Sequence, residues 1–238
     1  MKKIFTACFC AALGAAALQP AAAGKADAVT AAESDRVISL AFERGSGIYK
    51  KYSGVESLRK EVVSEYDPAT KKLKSISELT IKRKDFFYKE PDIEVLTYKK
   101  DGRDMEPSKF RVMKAMPLYP VFDEKGRDNY LITVAEKIQH DGRQCYRIQV
   151  DPRRETSRHF KGNIFVAVNS MEMVGIEGTM AKLDFPIKEF RITVKTKPFN
   201  NVPVTQSGEI QVRINVPVFY PDTLIVSTLE TIESKLMQ

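Results

Sequence analysis

Between residues 130 and 232 polar and apolar positions alternate through one segment after another. Ile132 and Val134 begin the series, and Tyr146, Ile148 and Val150 continue it. Phe190, Ile192 and Val194 are interleaved with Arg191, Thr193 and Lys195; Ile210, Val212, Ile214 and Val216 with Gln211, Arg213 and Asn215. Successive side chains of a strand point to opposite faces, so a period of two records one buried and one wetted face, the habit of antiparallel sheets. Residues 164–168 are apolar on both faces, which predicts the most buried strand. Asp141-Gly142 reads as a hairpin turn, and Asn169-Ser170 as a turn into residues 171–178. Residues 224–232 close the sheet.

The first part of the chain changes period. Val37, Leu40, Ala41 and Ile48 fall on one helical face, so residues 32–52 read as a helix with Ser34 as its N-cap. Gly45 and Gly47 are expected to weaken its last turn, and Gly54 to end the segment. Strands follow at 58–66, 73–88 and 94–100, separated by Asp67-Pro68 and Asp101-Gly102. Over residues 113–122, Pro117 and Pro120 interrupt an apolar run and exclude a regular central strand or helix, leaving an apolar loop. The expected fold class is mainly β (α+β). It is a strongly curved antiparallel sheet or unclosed β-barrel of about ten or eleven strands, with the N-terminal helix as lid or plug. No blade or solenoid period is visible.

Ahead of that helix, Lys2 and Lys3 precede an apolar run at 4–18, broken by Gln19-Pro20 before Ala21-Ala22-Ala23. This is the layout of a secretory signal with an A-x-A site, and the apolar run is too short for an ordinary membrane-spanning helix. The expected organisation is a signal peptide at 1–23 and a single exported domain at 24–238. Cleavage would remove Cys8 and Cys10, leaving Cys145 without a partner for an intramolecular disulfide, so hydrophobic packing must hold the fold. It would also take the formal charge from +7 to +5, a modest excess.

Chemistry is sparse. Only His140 and His159 are present. His140 adjoins a turn and reads as solvated, His159 as a plain edge residue, and Cys145 as a structural thiol on an alternating strand. Metal-ligand spacings, a G-x-S-x-G elbow and a phosphate-binding glycine loop are missing from the sequence, so no catalytic residue, metal site or cofactor is assigned. Carboxylate pairs such as Glu177 and Asp184 arise freely among 31 acidic residues. Lysine and arginine cluster at 71–74, 82–84, 99–103 and 153–158. They read as solvated strand faces, with a rim for anionic head groups as the sharper reading. Clustered exposed aromatics of a single-strand binder are lacking, which argues against nucleic acid.

Residues 162–169, Gly-Asn-Ile-Phe-Val-Ala-Val-Asn, and 173–178, Met-Val-Gly-Ile-Glu-Gly, resemble the late hairpin of outer-membrane lipoprotein-sorting proteins, the LolA/LolB-like superfamily. The chain has no Trp, and Phe165 and Asn169 stand where such hairpins often carry an aromatic-acid pair. The resemblance implies an unclosed barrel with a helical lid, whose apolar hollow holds acyl chains of lipid or lipoprotein during transfer towards the outer membrane. It also implies a membrane-bound donor or acceptor as partner. On that reading Ile132, Val134, Ile148, Val150, Ile192, Val194, Val212 and Ile214 line the hollow, with Met116, Leu118 and Phe122 on a mobile lip. Simple packing of these residues against the helix remains the alternative. The rival functions are a periplasmic sensor or regulatory module on the same fold and, more remotely, an exported hydrolase.

Overall fold

A computed structural model describes residues 27–110, 118–216 and 220–238. The signal segment, Met116 and the start of the apolar loop lie outside these residues. The first element is α1 (Ala31–Lys51). Its N-cap is Thr30, whose side chain accepts from the Glu33 N–H, not Ser34, which lies inside the first turn and donates its own N–H to the Thr30 carbonyl. Glu33 in the first turn and Lys50 and Lys51 in the last complement the helix dipole. The glycines do not interrupt the helix. A Cβ on Gly45 would run into the Phe122 carbonyl, so glycine there permits close approach of helix and loop.

The strands follow as β1 (Gly54–Tyr66), β2 (Leu73–Phe86), β3 (Asp92–Lys100) and β4 (Arg103–Met105). A short α2 (Gly126–Asn129) precedes β5 (Tyr130–His140), β6 (Arg143–Pro152), β7 (Phe160–Ala167) and β8 (Met173–Met180). The last three are β9 (Ile187–Phe199), β10 (Val202–Val216) and β11 (Tyr220–Met237). Asp101 and Gly102, like Asp141 and Gly142, have positive φ, the left-handed pair that two-residue hairpins require.

All eleven strands form one antiparallel sheet in the order β4-β3-β2-β1-β11-β10-β9-β8-β7-β6-β5. The last strand enters between β1 and β10 and joins the two meanders. Edges remain at β4 and β5, so the sheet is unclosed. Part of the β5 edge is taken by the segment before α1, where Asp27 and Lys137 exchange backbone hydrogen bonds.

Register defines the faces. One cross-strand row runs Ile132, Val150, Gly162, Gly178, Ile192, Ile210, Ser227, Val63. The next runs Val134, Ile148, Ile164, Ile176, Val194, Gly208, Leu229, Glu61. The helix lies on this inner face, with Val37 packed among Tyr146, Ile148 and Val134. Residues 164–167 of β7 are buried on both faces, as expected: Ile164 and Val166 lie under the helix, and Phe165 and Ala167 pack with Cys145 and Val174 in a smaller cluster.

Candidate ligand-binding hollow

All eight strand residues assigned to the hollow share the inner face, because cross-strand partners project to the same side and Val212 and Ile214 follow Ile210 at period two. They do not line one open space. Val134, Ile148 and Val150 are buried, and Ile132, Ile192, Leu118 and Phe122 pack around them and Val37. Val212 and Ile214 belong to a separate cluster with Val63, Leu79, Ile81 and Ile225. Val194 joins neither and lies against Gly208. Between β7 and β8 the Phe160 ring approaches Gly162 and Gly178 so closely that a Cβ on either would collide with it. That part of the hollow is filled by the chain itself.

The helix over this face is lightly seated. Of 21 residues only Val37 and Phe42 are buried. Phe42 meets Phe122 edge to face at 5.6 Å, with the Arg127 guanidinium 4.2 Å from its centroid. Ile38 packs partly buried beside Val37, the Tyr49 ring meets Phe87 and Tyr88, and the polar ties lie at the rim. Arg44 Nη1 donates to the carbonyls of Ser170 (2.8 Å) and Met171 (2.9 Å), and Lys50 pairs with Glu124 at 2.6 Å. Glu33 accepts from the Tyr146 hydroxyl at 2.7 Å and pairs with Lys137 at 2.9 Å; these two partners hold its carboxyl below the usual range.

Beneath the C-terminal half of α1 is a predominantly apolar cavity of about 150 Å³. Ala41, Gly45 and Ile48 form its roof; Phe122, Met171 and Met173 are among the residues opposite, and Val202 and Pro203 bring the tip of the β9–β10 hairpin to its side. Space of about this size takes a guest the size of benzene; here it is partly open, with Arg44, Glu172 and Asn201 also in the lining. Of the ten described residues expected at the hollow, Phe122 is the one that lines this cavity.

Tyr49 borders this cavity and also a second, larger and more polar cleft of about 960 Å³. Its ring meets Phe87, on the cavity side, at 4.8 Å and Tyr88, on the cleft side, at 6.1 Å. The cleft was missed by sequence reasoning. His159, expected at an exposed edge, is only 5% exposed and packs against Tyr119 and Tyr130 at ring separations of 5.0 and 5.5 Å. Its Nδ1 lies 2.6 Å from the Thr156 hydroxyl. Burial first, then the charges of Arg154 and Arg158, push its pKa down, so the imidazole is neutral. Across the cleft Asp123 is 6% exposed and accepts from the Tyr88 hydroxyl (3.3 Å) and the Lys125 N–H (3.0 Å). Burial, then the Asp123 charge, push the Tyr88 phenol up to about 12, keeping it a neutral donor. Loop histidines and aspartates carry no periodic signal, and only the fold shows that the chain around 119–129 meets the chain around 154–159.

Other expectations resolve more simply. Cys145 is fully buried and its thiol is pushed up by burial, as suits a structural cysteine. His140 is not a freely solvated turn residue: it ends β5 half-buried, stacked on Phe165 at 3.9 Å. The basic clusters are partly neutralised, Lys82 and Lys84 by Glu56, Lys99 by Asp104 and Arg83 by Asp85.

No family model matches the chain, and no curated protein matches it. Solved structures similar to it include a LolA superfamily protein from Nitrosomonas europaea, 11% identical over 89% of this chain and 95% of that one, with a TM-score of 0.41. Another is a putative outer membrane lipoprotein-sorting protein domain from Vibrio parahaemolyticus, at 9% identity, 87% and 93% coverage and a TM-score of 0.44. A third is a DUF1329 family protein from Desulfovibrio piger, at 10%, 84%, 93% and 0.40. They include the superfamily that residues 162–169 and 173–178 resemble. At these values the likeness says nothing of ligand or activity.

Proposed function

We propose that this chain is an exported binding protein that takes an acyl chain of lipid or lipoprotein between α1 and the inner face of the sheet, and carries it passively between membranes. The observation that supports this reading is a 21-residue helix that spans an apolar sheet face yet buries only Val37 and Phe42. Its other ties are the ring contacts of Tyr49 and exchangeable polar contacts beside a small apolar cavity. Each methylene moved from water into such a space contributes about 0.8 kcal/mol, so a few carbons in the cavity give weak capture. Lifting α1 would open the face carrying Val134, Ile148 and Val150 to a longer tail. Release at an acceptor membrane is the reverse motion, and neither step needs a cofactor. Lys2, Lys3 and the apolar run at 4–18 supply the export signal in this reading.

The test is displacement of a fluorescent fatty acid, combined with native mass spectrometry of protein recovered from the periplasm of an expressing cell. Saturable binding and co-purified lipid are expected. Ala41→Phe, which fills the cavity from the helix side, should weaken binding about tenfold, the loss of one to two kcal/mol of apolar burial. Empty protein together with a probe that fails to saturate would sink the reading.

A further inference from the structure

The polar cleft shares Tyr49 with the apolar cavity, so an amphiphile with its tail in one would place its head in the other. The cleft lining carries both signs of charge. Arg154 and Arg158 stand beside His159, Thr156 and Ser157. The Arg158 guanidinium is held flat against the Tyr119 ring at 4.1 Å, and Arg154 is exposed with no ion pair among the described residues. Asp123 and Asp128 stand with the phenols of Tyr49 and Tyr88, beside Lys125 and the mutually paired Lys50 and Glu124. Asp123 is nine-tenths buried and uses one bond on each carboxylate oxygen, so acceptor capacity remains, and Asp128 has no ion pair among the described residues. His159, equally buried, has its Nδ1 on Thr156 while its Nε2 has no partner among the described residues. Guanidinium and hydroxyl donors are the groups that hold a phosphate; carboxylates beside aromatic faces hold an ammonium.

We propose that the cleft seats the head group of a zwitterionic phospholipid, phosphate against Arg154, Arg158 and His159, ammonium towards Asp123, Asp128 and the Tyr88 ring. This rests on the acyl-binding reading above and names the class of lipid. A purely anionic head would set Asp123 and Asp128 against like charge, and a bare carboxylate would reach only Arg154, Arg158 and His159.

Calorimetry on the signal-cleaved chain with four single-chain amphiphiles of equal length, below their micelle concentrations, tests it: lysophosphatidylethanolamine, lysophosphatidylglycerol, the free fatty acid and an alkyl glucoside. The ethanolamine lipid should bind about tenfold more tightly than any of the others. Arg154→Ala should weaken both phospholipids about fivefold and leave the uncharged glucoside unchanged. Asp128→Asn should weaken the ethanolamine lipid alone. Both positions are exposed, so folding is not at stake. Equal affinities for all four, preference for the glycerol or glucosyl head, or indifference to both substitutions would overturn the head-group assignment while leaving acyl binding standing. Failure of the fatty acid and all three lipids to bind would overturn both.

Discussion

On β5 to β8 the inner face is hydrocarbon in unbroken succession, Val134, Ile148, Ile164 and Ile176 forming one row under α1. Followed across the sheet to β11 and β1, the same row reaches Leu229 and Glu61, flanked by Ser57, Arg59, Ser227 and Thr231, all of them buried. Arg59 donates to the Ser57 hydroxyl at 2.8 Å and pairs with Asp85, which also takes Arg83. The Oγ atoms of Ser227 and Ser234 and Oγ1 of Thr231 are buried without a hydrogen-bond partner among the described residues. A sheet face can therefore be buried all along its width without being apolar all along it. Where it stays apolar, packing against the helix supplies stability; where it turns polar, stability depends on how well charges and hydroxyls are matched.

Ile148→Ala should separate the two regions most sharply. Its side chain is fully buried at the centre of the helix-covered cluster, and losing it should cost about 2–5 kcal/mol in urea unfolding. A loss under 1 kcal/mol would mean that the cluster is loosely filled.

Arg59→Leu comes next, with an expected loss of about 1–3 kcal/mol, less than for a fully buried pair because Asp85 is one-third exposed and keeps Arg83. Burial disfavours the Asp85 carboxylate, but the guanidiniums of Arg59 and Arg83 outweigh it and hold its pKa below the usual value. A depressed pKa contributes stability that is present above the unfolded value and is lost as pH falls through the folded one. The native chain should accordingly lose more stability than Arg59→Leu on acidification below the ordinary aspartate range, and parallel curves would break this assignment.

Ser227→Ala should have the opposite sign. Removing a fully buried hydroxyl that has no partner among the described residues should stabilise the chain by up to about 1 kcal/mol, read as a higher midpoint of unfolding. A destabilised variant would reveal a bound water or ligand group on that oxygen. The smallest change is expected at the helix rim. Lys50→Ala removes an ion pair whose side chains are both 69% exposed, worth about 0–1 kcal/mol and diminished by salt.

The apolar region was legible in the sequence because its alternation agrees with its burial. Ile132, Val134, Ile148, Val150 and Ile192 were assigned to one face, and the register places them there. On β1 the rule misleads. Residues 57, 59 and 61 are Ser, Arg and Glu, and a period-two reading turns Leu58 and Val62 inward, whereas the structure buries the polar set. The helix extent was readable to within one residue at either end, but its cap was not: Thr30 and Ser34 both carry a capping hydroxyl, and only backbone geometry selects between them. The hollow is legible as a face, with packing against the helix as the alternative reading, but which residues fill it is not, since alternation shows which residues point inward and not what meets them. Phe160 over Gly162 and Gly178 is a contact between strands that no local pattern encodes.

Cys145 is the free cysteine of the described chain, sealed beneath Phe165 and Val174. A chain beginning at residue 24 has no second cysteine to pair with it, so renaturation of that chain after dilution from urea should need neither oxidant nor thiol shuffling, and should proceed alike in the presence and absence of a reducing agent.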